Sequence, residues 1–288
     1  MCQEIKQHYI WEQSLIICGI VRDCANGIKR NRPVIDKLCT LVKDAKVVIF
    51  ENDSKDGTKS LLNQWRQECG NVYVRSEDFN TVTIPSVKSA NGVNPSFSAK
   101  RISKMAYYRN KYLDFIREQG WSADYVMVVD LDLQRIELEG IIHSLALGDS
   151  WDMVAANGVI YSPSAFFRQR YNDTYALVEN GEETLPQSEV SIREKQYKWA
   201  HLTKKMPLQP IYSAFGGMAI YRYKAIQDCR YEVLPNEDAR VEVRCEHFAL
   251  CKQMHQKGYH RIFINPAMKV VYASYGMEKI WAHLFGKK

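Results

Sequence analysis

Short apolar runs of strand length recur through the first half of this chain, and segments with helical spacing of apolar residues lie between them. Leu15–Ile20 is the first run, after which Pro33–Lys43 carries Val34, Ile35, Leu38, Leu41 and Val42 at helical spacing. Val47–Phe50 reads as a second strand, and Thr58–Glu68 places Leu61, Leu62 and Trp65 on one helix face. Val72–Val74, a helix over Ser98–Glu118, Tyr125–Val129, a short helix over Leu138–Leu147 and a strand over Asp152–Ala156 continue the alternation. Tyr125–Val129 is apolar throughout, as strands covered on both faces are. This order predicts an α/β fold with a mixed, mainly parallel sheet flanked by helices.

The second half is less regular. Residues 161–210 are polar and rich in Arg, Tyr and Glu, and read as a long loop with short helices covering the sheet. Ile211–Tyr223 looks like strand around Gly216-Gly217, Cys245–Lys257 like helix, and His260–Ile264 and Met268–Tyr272 like two further strands. With no internal repeat, low-complexity tract or linker, one domain over residues 1–288 is expected, with a nucleotide-binding half over about 14–133 and an acceptor half over about 134–288.

Composition excludes several classes. With 46% hydrophobic and 25% charged residues the chain is globular rather than disordered or fibrous. No apolar run reaches the ~18 residues of a membrane span. The first residues mix acids with bases and do not read as a secretory signal. The eight cysteines form no C-x-x-C pair, so reduced thiols in a cytoplasmic protein are expected. On that expectation the triplets Asn52-Asp53-Ser54 and Asn172-Asp173-Thr174 have no meaning as glycan sites. The net charge of +6 does not call for nucleic acid, and none is expected. Its distribution is more telling: between Phe79 and Leu113 there is no acid, yet Lys88, Lys100, Arg101, Lys104, Arg109 and Lys111 occur. Such a segment is a solvated basic face, or it meets phosphates on a small ligand or at a membrane surface, where a peripheral contact would form.

In open α/β sheets ligands bind beyond the carboxyl ends of the strands. The first strand ends in Arg22-Asp23-Cys24, the second in Glu51-Asn52-Asp53-Ser54, and the fourth in Asp130-Leu131-Asp132. Asp130 and Asp132 have one residue between them, so an extended backbone projects both to one side. They are either solvent-facing acids at a strand exit or two hard ligands for Mg²⁺ or Mn²⁺ that would bridge a diphosphate. Glu51, Asn52, Asp53 and Ser54 offer acceptors to a ribose or base, or simply form a strand-to-helix turn closed by a cap at Asp56 or Thr58. Arg109 occupies the apolar stripe Ile102, Ala106, Leu113, Ile116. An unpaired buried guanidinium is prohibitively costly, so it must meet either a strand-end carboxylate or a donor phosphate. Glu246 and His247 open a helix; the glutamate either complements the helix dipole or serves a substrate.

The string Phe50-Glu51-Asn52-Asp53-Ser54-Lys55-Asp56-Gly57-Thr58, with Leu61-Leu62 and Trp65 downstream, resembles the nucleotide-binding turn of GT-A glycosyltransferases. Within them it is most similar to the capsule-associated α-1,3-mannosyltransferase family, glycosyltransferase family 69. The resemblance extends through Arg22-Asp23, Arg101 to Arg109-Asn110 and Asp130-Leu131-Asp132. More loosely it includes Tyr171-Asn172-Asp173-Thr174-Tyr175, Phe215-Gly216-Gly217 and Cys245-Glu246-His247-Phe248. It implies a Rossmann-like GT-A fold and transfer of a hexose, mannose in the named family, from a GDP- or UDP-hexose to a saccharide or lipid-linked saccharide. Arg22, Glu51, Asn52, Asp53, Ser54, Arg101, Arg109 and Asp130 would then bind donor, and Mn²⁺ or Mg²⁺ would sit at Asp130 and Asp132. A late histidine, His283, is a rival third ligand. Gly216, Gly217 and His247 would lie on the acceptor side, with Glu246 and Asp132 as catalytic carboxylates. Three alternatives stay open. A nucleotidyltransferase would show a Gly-rich loop where only Gly19 and Gly27 are near. A dehalogenase-type phosphatase would need Thr or Val where Gln134 stands. A sugar-nucleotide-binding module without activity is the third.

Overall fold

A computed structural model describes residues 11–81, 92–161 and 168–273. β1 (Trp11–Val21) leads into α1 (Ala25–Cys39), β2 (Val42–Asn52), α2 (Thr58–Glu68) and β3 (Val72–Glu77); α3 (Ala99–Glu118) and β4 (Tyr125–Val129) complete the first half. Then follow β5 (Arg135–Ile136), α4 (Leu138–Ala146), β6 (Met153–Tyr161), β7 (Gln169–Tyr171), α5 (Glu189–Lys198), β8 (Gln209–Pro210), β9 (Met218–Arg222), α6 (Tyr223–Ile226), α7 (Glu246–Gln256) and β10 (Ile262–Ala273).

The ten strands of the described residues join one sheet in the order β3-β2-β1-β4-β9-β6-β10-β5, with β7 on β6 and β8 on β10. The long ladders β1–β2, β2–β3 and β6–β10 are parallel, while β9 runs antiparallel between β4 and β6. The sheet is therefore mixed and mainly parallel, with helices on both faces. Strand parity divides the core. Ile16 and Cys18 of β1 and Val126 and Val128 of β4 pack with Ile102, Leu113 and Ile116 of α3. Leu15 and Ile17, with Met127 and Val129, pack instead with Ile28 and Ile35 of α1 and Trp65 of α2. Each such aliphatic side chain, fully buried, contributes ~1.5–3 kcal/mol.

Three expectations change. The first helix begins at Ala25, eight residues before the expected Pro33, which lies inside it. The carbonyl that this proline leaves without a helical donor belongs to Lys29, an exposed residue that water can serve. The two last strands are one, β10, with a register shift between Asn265 and Lys269. Strand around Gly216-Gly217 shrinks to β9, because both glycines adopt positive φ and form the turn before it. The polar stretch after β7 contains α5, opened by a capping box at Ser188 and Ser191. The seven described cysteines are free. No helix among the described residues is long and apolar enough to cross a membrane.

Candidate active site

The Asp130-Leu131-Asp132 turn is gripped from both sides. On one side α1 approaches so closely at Gly27 that a Cβ there would lie 2.4 Å from the Leu131 carbonyl oxygen. Asn31 Nδ2 donates to the carbonyls of Leu131 and Leu133 at 2.8 and 2.7 Å, and Arg30 Nε donates to Leu133 at 3.0 Å. On the other side the Asp130 N–H donates to the Gly217 carbonyl at 2.9 Å. Backbone contacts fix the turn, so both aspartate side chains remain available to the cavity they line. Burial, with Asp132 and Glu246 nearby and Arg109 opposing, pushes the Asp130 carboxyl up to about 7, and burial raises Asp132 as well.

The turn after β2 is spent largely on structure. Glu51 accepts from the Ser54 N–H at 2.8 Å and from the Ser76 hydroxyl. Asp53, at φ 55, accepts from the backbone N–H groups of Phe79 and Asn80 at 2.6 and 2.7 Å and from the Thr81 hydroxyl at 2.8 Å. Burial opposes its charge, but hydrogen bonds from Asn52, Thr81, Asn80 and Phe79 hold it below the usual carboxylate range. Ser54 Oγ accepts from the Asp23 N–H, and Thr58 Oγ1 from the Cys24 N–H, tying this turn to the one after β1. Of the four residues expected at the donor, only Asn52 lines the cavity. The side chains of Glu51, Asp53 and Ser54 are instead hydrogen-bonded to their own turn, to β3 and to the adjacent loops, where a donor would have to share them.

Arg109 is buried on α3, and the carboxylate reading of its partner applies. Its Nε donates to Glu246 Oε1 at 3.0 Å, and its Nη2 lies 3.6 Å from Asp130 Oδ1. Its guanidinium also lies over the Phe215 ring, 4.9 Å from the centroid. Nη1 has no hydrogen-bond partner among the described residues. Glu246 is the first residue of α7, and its other oxygen is 3.5 Å from the Cys245 thiol. His247 is 2% exposed and stacks on Phe215 with centroids 3.9 Å apart, yet among the described residues neither ring nitrogen has a hydrogen-bond partner, the nearest carboxylate oxygen being Glu246 Oε1 at 3.9 Å from Nε2. Burial, with Arg109 beside it, lowers its pKa well below the ordinary value, so the ring is neutral.

Gly216 and Gly217 do not line the cavity; they place the groups that do. Gly217 supplies the carbonyl that holds Asp130, and the Gly216 N–H donates to Asp173 Oδ2 at 3.0 Å. A Cβ on Gly216 would lie 2.2 Å from the Ala156 carbonyl oxygen. These glycines have a scaffold role through their backbone groups. Asp173 itself is a site residue with no role assigned from sequence. It lies in the turn after β7 with φ 63, and burial, with Asp130 and Glu246 near, pushes its carboxyl up to about 7. Its signal was the acid in Tyr171-Asn172-Asp173-Thr174-Tyr175, a turn-forming pattern between aromatic residues.

These groups surround a cavity of about 330 Å³, within the range of small-ligand sites. Arg22, Arg101 and Arg109 bring cationic groups to it, and Asp130, Asp132, Asp173 and Glu246 bring carboxylates. Arg101 Nε is buried without a hydrogen-bond partner among the described residues. Among the described residues no three His, Cys, Asp or Glu side chains form a ready cation cage. The pair Asp130 and Asp132 still fits a hard divalent ion, because such ions bind through one or two carboxylates with substrate phosphates and water completing the shell. His283 and Lys88 lie outside the described residues.

This arrangement defines a GT-A glycosyltransferase fold. The solved mannosyltransferase PcManGT of Pyrobaculum calidifontis, in complex with GDP-Man and Mn²⁺, shares it at 12% identity and a TM-score of 0.50, over 90% of this chain and 56% of that one. TarS 1-349 of S. aureus matches at 14% identity and 0.48, over 95% of this chain and 66% of that one. Glucosyl-3-phosphoglycerate synthase of Mycobacterium tuberculosis, in complex with phosphoglyceric acid, matches at 14% and 0.44, over 94% and 76%. The chain therefore spans little more than half the length of the Pyrobaculum protein. No curated protein matches the chain at significance. The family model described as cryptococcal mannosyltransferase 1 matches residues 25–253, most of the sequence, and the chain belongs to that family.

Proposed function

We propose that this chain transfers a hexosyl group, mannose in the first instance, from a nucleoside diphosphate sugar to a saccharide hydroxyl, free or lipid-linked, with a divalent cation. The observation that carries the reading is the cavity at the carboxyl ends of β1, β2 and β4, which three arginines line together with the Asp130–Asp132 pair. The family to which the chain belongs and a fold neighbour solved with GDP-Man and Mn²⁺ support mannose and guanine in the donor.

Arg22, Arg101 and the unpartnered Nη1 of Arg109 offer donors to a diphosphate. Charge grows on that diphosphate as the bond to the sugar breaks, so fixed cations that cannot relax away favour the transition state over the ground state. Asn52, which lines the cavity on the β2 side, would accept from the base or ribose. Asp130 and Asp132 would hold the cation, which when bound supplies further stabilisation of the leaving oxygen. Glu246 keeps Arg109 aimed into the site. His247, neutral and with neither nitrogen hydrogen-bonded among the described residues, offers one donor and one acceptor to sugar hydroxyls.

Calorimetric titration of GDP and UDP, with and without Mn²⁺, tests the reading in the wild type and in Asp130→Asn and Asp132→Asn. Binding that needs Mn²⁺ in the wild type and is lost in both variants is expected. Equal, metal-independent binding in all three proteins overturns it. Product mass spectrometry across a panel of sugar nucleotides then identifies the donor.

A further inference from the structure

The segment that opens α7 lines two cavities. Cys245, Glu246 and His247 border the one described above, whereas Arg244, Phe248 and Lys252 border another, of about 230 Å³. No residue is common to the two linings. The Cα atoms of Arg244 and Glu246 are nonetheless at most ~7 Å apart along the chain. Resting on the glycosyltransferase reading, we propose that this second cavity binds the acid group of a saccharide acceptor, a carboxylate or a phosphate, with Arg244 as the cation that holds it.

Two arginines are buried among the described residues, and their partners differ. Arg109 has Glu246 and Asp130. Arg244, 5% exposed, forms no ion pair among the described residues. Its Nη1 donates to the Leu185 carbonyl and, at 3.4 Å, to Asn236 Oδ1, which already accepts from the Gln187 N–H at 2.8 Å. Nη2 reaches the Glu183 carbonyl at 3.4 Å, and Nε has no hydrogen-bond partner among the described residues. Burial lowers the pKa of Arg244, and Glu182, the carboxylate that opposes this, is bound to Lys195 Nζ at 2.7 Å. A buried cation left in this state is costly. Nε and Nη2 together form the edge of a guanidinium that takes a carboxylate or phosphate through two parallel hydrogen bonds.

The rest of the lining agrees with an acid-bearing sugar. The Phe248 ring, its centroid 4.2 Å from Arg244 Cζ, packs on the guanidinium and fixes its plane. Leu185, Pro186, Leu234 and Pro235 supply apolar surface for the C–H face of a sugar ring. Glu183 lines the cavity too, but its Oε2 accepts from the Gly181 N–H at 2.7 Å. Glu237 and Lys252, both exposed, offset each other in charge, so Arg244 decides the sign of the ligand. The volume lies below the ~300–1,000 Å³ of sites for drug-sized molecules, which suits one sugar unit and not a nucleotide.

Amide-resolved NMR titration of the whole chain, saturated with GDP and Mg²⁺ to fill the first cavity, tests this. The probes are D-glucuronate, D-mannose 6-phosphate, inorganic phosphate and methyl α-mannoside. Saturable shifts at Thr184, Leu185, Asn236 and Lys252 are expected from an acid sugar and not from methyl α-mannoside, and the tighter of the two acid sugars identifies the acid group. Arg244→Gln should weaken that binding ~10–100-fold and Lys252→Glu ~2–5-fold, with GDP affinity unchanged in both. Should Arg244→Gln fail to fold, Lys252→Glu, on an exposed side chain, decides. In turnover with mannobionate as acceptor, Lys252→Glu should raise KM ~2–5-fold at constant kcat and leave both constants for methyl α-mannoside unchanged. Equal binding of methyl α-mannoside, binding of inorganic phosphate alone, shifts centred on Asp130 and His247, or no saturable binding of either acid sugar overturns the proposal. So does unchanged acid-sugar affinity in a folded Arg244→Gln. A chain that neither binds GDP nor turns over any sugar nucleotide refutes the glycosyltransferase reading separately, because the acid-sugar shifts are then read in the nucleotide-free protein.

Discussion

Arg109→Met is the sharpest test of how the site is held together. The side chain of Arg109 is 4% exposed and lies between Glu246, 5% exposed, and Asp130, 24% exposed. Methionine fills much of the volume but leaves both carboxylates without a cationic partner. Breaking a buried pair by removing one partner costs ~3–5 kcal/mol. At ~2–4 °C per kcal/mol for a chain of this size, the melting temperature would fall ~6–20 °C. Lost contact with the Phe215 and Tyr231 rings adds to this. The penalty has a pH signature. Asp130 already titrates near 7 in the wild type, where Arg109 opposes the upward push of burial, and without Arg109 it would take up a proton more readily still. The deficit should therefore be smaller at about pH 5.5 than at about pH 8, since a neutral carboxyl escapes most of the desolvation cost. Urea unfolding of wild type, Arg109→Met, Glu246→Gln and the double variant at both pH values measures it. The double variant should recover part of the loss, with a coupling of ~0.5–3 kcal/mol. A deficit below ~1 kcal/mol at about pH 8, additive with Glu246→Gln, would refute the argument.

Three other outcomes are expected. Gly216→Ala, at φ 66 with its Cβ against the Ala156 carbonyl, should cost ~1–2 kcal/mol from backbone strain alone and should disturb Asp130 and Asp173 together; a variant with wild-type urea midpoint and turnover would show the turn is not a scaffold. Asp53→Ala should lower stability by ~1.5–3 kcal/mol by unpairing the backbone donors of Phe79 and Asn80, and Asp53→Asn by less. A folded Asp53→Asn that has lost nucleotide affinity in calorimetry would instead put Asp53 at the donor. Because burial raises Asp130 and Asp173 to about 7, these groups bind protons more tightly folded than unfolded, so their contribution to ligand-free stability falls as pH rises from about 4 to about 7. Asp173→Asn should flatten that fall in urea midpoints, and an unchanged slope would contradict it; Asp130, Glu246, Arg109, Tyr171, Cys245 and Tyr272 all lie near enough to share in it.

What the sequence discloses here follows the range of the forces involved. β1 and β4 are legible because burial on both faces demands unbroken apolar runs, and α2 because Thr58–Glu68 concentrates its apolar residues on one face. Arg109 is legible as a problem, since a charge in an apolar stripe requires a partner, but its partner Glu246 lies 137 residues away and no local rule selects it over a phosphate. The turn after β2 illustrates the opposite failure. Its acids are those a nucleotide would need, yet whether they face a ligand depends on Phe79, Asn80 and Ser76, which reach them only once β3 pairs with β2. Asn31 and Gly27 were silent for the same reason, because their work on the Asp130-Leu131-Asp132 turn spans about a hundred residues. Asp173 combines both difficulties. A short Asn-Asp-Thr string reads as a turn, and only the antiparallel insertion of β9 brings the Gly216 N–H against it. That insertion adds antiparallel strands beyond β4, and it is what brings Asp173 to the cavity that Asp130 and Asp132 line.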